Sequence, residues 1–143
     1  MVRQHAILFG ALFFIIFSGG RAQAQTVPDQ WRLPPNYVPS GAVIYEQYCA
    51  ACHGANGKGG GPAAASLKVP PPDLTTLAKR HDNKFPDDYV SKVLLFGPGT
   101  PAHGSPTMPT WGPIFGVLDR LNTRAVHLRV KNLSDYLASL QEK

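Results

Sequence analysis

Both cysteines of this 143-residue chain fall within one five-residue stretch, Cys49-Ala50-Ala51-Cys52-His53. Thiols three residues apart lie on one side of a helical turn, and a histidine follows at once. C-x-x-C-H is the attachment pattern for a c-type haem. Each thiol can form a thioether to a vinyl group on the porphyrin edge, and His53 stands where its ring can bind iron from the proximal side. Three other chemistries compete for these residues. A redox disulfide across C-x-x-C goes with a thioredoxin-like βαβ pattern, which is absent here. Zinc wants four ligands, and there is no second cysteine pair. Two buried structural thiols would need no histidine beside them.

The stretch before the motif divides in two. Arg3 gives a positive start, Ala6 to Phe17 is apolar without charge, and Ala22-Gln23-Ala24 fits an A-x-A cleavage site. Residues 1–24 therefore read as a secretory signal peptide. An uncleaved membrane anchor is the alternative, but the apolar run is short for a span of roughly 20 residues. Residues 25–39 carry Pro28, Pro34, Pro35 and Pro39, a density that favours an extended strap. Residues 40–143 form the domain. No other long apolar run exists, so no transmembrane segment is expected in the mature chain.

Helical signals dominate the domain. Ser40 suits an N-cap, with a helix from Gly41 to about Ala51. Gly54 to Pro72 is a glycine-rich and proline-rich loop. It lacks the G-x-x-x-x-G-K-[S/T] order of a phosphate-binding loop. Asp73 can cap a short helix over Leu74–Lys79. Pro86 suits the first turn of another, which runs to Phe96 and stops at Gly97-Pro98. Gly97 to Gly116 reads as a proline-stiffened loop. Thr123 caps the last helix, in which Val126, Val130, Leu133, Leu137 and Leu140 make one apolar face.

These residues resemble a class I monohaem cytochrome c. The resemblance rests on Gly41, Tyr45 and Tyr48 ahead of the haem motif and on Leu133-Ser134-Asp135-Tyr136-Leu137 near the end, and it spans about Ser40 to Leu140. It implies an all-α fold with N- and C-terminal helices crossing near Gly41 and Tyr45, and a single covalent haem c in a cleft among Pro/Gly-rich loops. It also implies a proline after the motif whose carbonyl accepts a hydrogen bond from His53. Gly61-Pro62 is similar to that element, with Pro71 and Pro72 as alternatives. Met108 then becomes the sixth iron ligand, in Pro106-Thr107-Met108-Pro109, and His103 in the same loop is the rival. Trp111 packs on the haem, donates its N–H to a propionate, or simply fills the core.

Function follows from the ligand set. A neutral thioether in the sixth position raises the reduction potential and leaves oxygen or peroxide no vacancy. The expected role is single-electron carriage in a periplasmic respiratory or dehydrogenase-linked chain, as a free shuttle or as the haem subunit of an oxidoreductase complex. The alternative is a peroxidase-like enzyme or ligand sensor, which requires Met108 to be off the iron. The formal charge is +5, or +3 without Arg3 and Arg21. Lysines around a haem edge would steer the protein to redox partners with acidic docking surfaces. Nucleic-acid binding is not expected from so modest a charge without a basic-aromatic motif.

Overall fold

Helix α1 (Gly41–Tyr48) starts where the Ser40 hydroxyl accepts from the Val43 N–H at 3.4 Å. In the computed structural model, which describes Pro28, Pro34, residues 37–99 and residues 108–142, this helix does not continue to Ala51 as the sequence suggests. Cys49 steps out of helical stride at φ −115°, and a single turn, α2 (Ala50–His53), carries the rest of the motif. Three longer helices follow: α3 (Asp87–Phe96), α4 (Trp111–Leu118) and α5 (Thr123–Ser139). The described residues form no strand. The fold is all-α, as the sequence pattern implies.

The core is the crossing of α1 and α5. Ile44, Tyr45, Leu133 and Leu137 are buried there, and the Tyr45 and Tyr136 rings lie 5.4 Å apart. Gly41 makes the crossing possible, because a Cβ there would run into the Asn132 carbonyl and approach the Tyr136 Cβ to 2.6 Å. The Asn132 side chain ties the same point down by donating to the Pro39 carbonyl at 2.9 Å. α3 adds Val90 and Leu94 to the core. It is pinned to α5 by the buried Ser134 hydroxyl, which donates to Asp87 at 2.5 Å. The buried residues of α5 include Val126, Val130, Leu133 and Leu137, and Leu140 is half-buried, so the apolar face read from the sequence is the inward one. Its cap is Asn122, one residue earlier than expected.

Two segments depart from the sequence reading. Leu74–Lys79 forms consecutive turns instead of a helix. Its backbone groups are taken by the C-terminus: Gln141 donates to the Leu74 carbonyl at 2.8 Å and accepts from the Ala78 N–H at 2.8 Å. The Glu142 N–H meets the Thr75 carbonyl at 2.8 Å. Conversely, most of helix α4 (Trp111–Leu118) falls within the Gly97–Gly116 stretch that reads as loop. Pro113 lies in its first turn, where a missing N–H costs little. Burial of Trp111 and Phe115, one turn apart, outweighs the weak helix propensity of two glycines. Gly112 lets α4 touch α3, since a Cβ there would collide with the Leu95 carbonyl.

Candidate functional site

The motif residues face a cavity of about 600 Å³, within the range of cofactor sites. Cys49, Cys52 and His53 contribute one part of its wall, and Met108 contributes another. Leu74, Leu77, Val90, Leu94 and Leu133 make much of the remainder. Trp111 also lines it, at 5.7 Å and near-parallel to Phe115 and edge-on to Tyr48 at 5.5 Å. One apolar space thus collects Cys49, Cys52 and His53 from the first helices, Leu67 and the Val69–Pro72 segment, α3, Met108 and the inner face of α5.

The local fold explains the orientation of the motif. The Cys52 and His53 N–H groups both donate to the Cys49 carbonyl, at 3.1 and 2.9 Å, so the two thiols and the imidazole are held in one turn. Neither cysteine is in a disulfide. Burial, with the neighbouring Cys52 adding, pushes the Cys49 thiol up to about 12 and keeps it neutral. The Tyr45 hydroxyl braces the end of the turn by donating to the Gly54 carbonyl at 2.6 Å. Burial raises this phenol to about 12, so it stays a donor.

His53 is buried, and burial lowers its pKa below the ordinary imidazole value, against the pull of a backbone carbonyl. That carbonyl belongs to Pro72, at 3.3 Å from Nδ1. The expected partner, Pro62, is therefore corrected to Pro72. The Pro62 segment is already committed elsewhere: the flanking Gly61 and Ala63 N–H groups donate to the Cys52 and Ala51 carbonyls at 3.1 and 2.8 Å. Pro62 is exposed and does not line the cavity, whereas Pro70, Pro71 and Pro72 do. With Nδ1 donating to Pro72, Nε2 carries the lone pair that a metal would use.

His103 lies outside the described residues, as do the proposed signal peptide and most of the strap. Among the described residues no three His, Cys, Asp or Glu side chains gather as a metal cage. None of the helices described is long and apolar enough to cross a membrane.

One polar feature was missed in the sequence. Arg129 is buried on α5, where Nε and Nη2 donate to the two Asp119 oxygens at 3.1 and 2.5 Å, and its guanidinium lies 5.3 Å from the Phe115 ring centre. This pair locks the end of α4 to α5 beside Phe115. Neither residue carries a spacing signal, since ten positions and a reversal of chain direction separate them.

Among the described residues, an all-helical fold turns two free thiols and an imidazole into one apolar cavity, an arrangement that suits a covalently held porphyrin. The sequence bears this out at the family level: residues 38–141 match the model of the cytochrome c family, and the chain belongs to that family. No curated protein and no solved structure matches it. The family binds a covalently attached haem c with iron, and the residues here suit that group. The cavity is apolar, both thiols are unpaired with one another, and the His53 nitrogen not bonded to Pro72 is available.

Proposed function

We propose that this protein is a periplasmic single-electron carrier in which Cys49 and Cys52 hold the haem and His53 and Met108 are its axial ligands. Haem-based electron transfer is the chemistry of its family. The observation that carries the finer reading is that Met108 lines the same cavity as Cys49, Cys52 and His53. The bound haem would supply one iron that alternates between ferrous and ferric states. The chain's own residues do the rest. Pro72 fixes the imidazole tautomer, which strengthens its donation to the metal. The largely apolar walls would favour the less charged, reduced form of a bound haem. Pro109 restricts the backbone beside Met108 and would hold that side chain in place toward a metal.

Periplasmic residence is supported by the signal-like residues 1–24 and by the motif, since thioether attachment in such proteins occurs outside the energy-transducing membrane. Partners are redox proteins. Lys68, Lys79 and Lys84 are exposed and basic, and they suit an acidic docking surface.

Potentiometric titration of three holoproteins tests the ligand set. Met108→His replaces a soft thioether with an imidazole, and its midpoint potential should fall well below that of the parent. His103→Ala should leave the potential where it is. A rise in His103→Ala with no change in Met108→His would transfer the sixth position to His103.

A further inference from the structure

Haem carries two carboxylates, its propionates, on the edge away from the vinyl groups that the thiols would take. Carboxylates brought into a largely apolar wall need water or a cation. Among the described residues that line the cavity there is no acidic side chain and one permanent cation, Arg80. Lys79, its neighbour in the chain, does not line the cavity.

Arg80 is held in place but not matched in charge. Three other cations have carboxylate partners: Arg129 with Asp119, Lys58 with Glu142 and Lys131 with Asp135. Arg80 has none among the described residues. Its Nη1 donates to the Thr76 hydroxyl, and its Nη2 donates to the Asp73 backbone carbonyl at 2.9 Å. The Asp73 carboxylate is engaged elsewhere, accepting from the Thr75 N–H and hydroxyl at 2.7 and 2.6 Å. A guanidinium has five N–H donors, so three of them are left over. The backbone at this point is fixed as well. The Arg80 N–H donates to the Thr76 carbonyl at 3.1 Å, and Gln141 clamps Leu74 and Ala78 just before it.

Other polar groups of the wall suit a carboxylate less well. Tyr45 and His53 face the carbonyls of Gly54 and Pro72. His81 follows Arg80 on the wall, with its ring 5.5 Å from that of Tyr89, and neither carries a permanent charge. We propose that Arg80 is the charge partner of a haem propionate, which it binds through charge-assisted hydrogen bonds. A compensated propionate stabilises ferric iron less, so Arg80 raises the reduction potential. The inference rests on haem attachment at Cys49 and Cys52 and is independent of which side chain fills the sixth position.

The test compares the parent holoprotein with Arg80→Gln, Arg80→Lys and Lys92→Leu by resonance Raman spectroscopy and potentiometric titration. Lys92 is exposed on α3 and does not line the cavity, so its removal reports the loss of a surface charge alone. Arg80→Gln should move the propionate bending band to lower frequency and the midpoint potential downward, with helicity unchanged. Arg80→Lys should recover most of the potential but not the band position, because an ammonium keeps the charge and loses the planar fork of donors. Lys92→Leu should leave the band where it is. An unmoved band in Arg80→Gln overturns the proposal. So does a fall in potential no larger than that of Lys92→Leu, or one that Arg80→Lys repeats in full. A parent protein without thioether-bound haem would overturn the attachment reading, and the proposal with it.

Discussion

Gly41 carries more of the fold than its size suggests. The backbone of α1 sits directly on the Asn132 carbonyl, so any side chain there must part α1 from α5. Gly41→Leu should cost about 3 kcal/mol or more, because backbone is harder to displace than a side-chain tip. Chemical denaturation of the holoprotein reads this directly, and an unchanged midpoint would show that the crossing tolerates separation. The residue was legible in advance because the resemblance to class I cytochromes c implies a helix crossing there. Pro72 was harder to pick. Several prolines follow the motif, and only the three-dimensional path shows that the Pro62 stretch spends its neighbours' N–H groups on the motif helix while the later strap reaches His53.

At the scale of helices, α3 and α5 could be read because their apolar residues recur at helical spacing and their ends carry a proline, a glycine or a capping side chain. α4 could not, since Gly112, Pro113 and Gly116 signal a loop. Its stability comes from packing that a local reading does not contain: Trp111 and Phe115 against the core, and the buried Asp119–Arg129 pair at its end. This gives a sharp contrast for mutagenesis. Asp119→Ala leaves a guanidinium buried without its partner and should cost about 3–5 kcal/mol. Replacing both residues, as in Asp119→Leu with Arg129→Met, removes the stranded charge and should cost clearly less. Thermal melts of the two variants decide the point, and equal losses would mean that the ion pair is not what fastens α4. The turns at 74–79 were misread for the mirror-image reason. Their local signal is helical, but Gln141 and Glu142, more than sixty positions away, claim the backbone groups a helix would use.

For the molecule as a whole, the cavity sets the terms. Without haem, the apolar lining of a cleft of about 600 Å³ is left to water instead of packing against a porphyrin. A small domain with about 5–15 kcal/mol of stability has little to offset that loss of packing. Folding and cofactor attachment should therefore be one event. The variant Cys49→Ser with Cys52→Ser, isolated without bound haem, should show low helicity by circular dichroism and no cooperative melt. A sharply melting, fully helical variant would show that the polypeptide closes its own core. The charge of the molecule then matters for where it docks rather than for whether it folds.

The central claim is a closed, six-coordinate iron with Met108 as its sixth ligand, and the optical spectrum of the purified holoprotein tests it most directly. A weak sulfur-to-iron charge-transfer band in the oxidised protein, and a reduced spectrum untouched by carbon monoxide, are the predicted results. A missing band together with rapid carbon monoxide binding would contradict the account and make the protein an open-site haem enzyme or sensor.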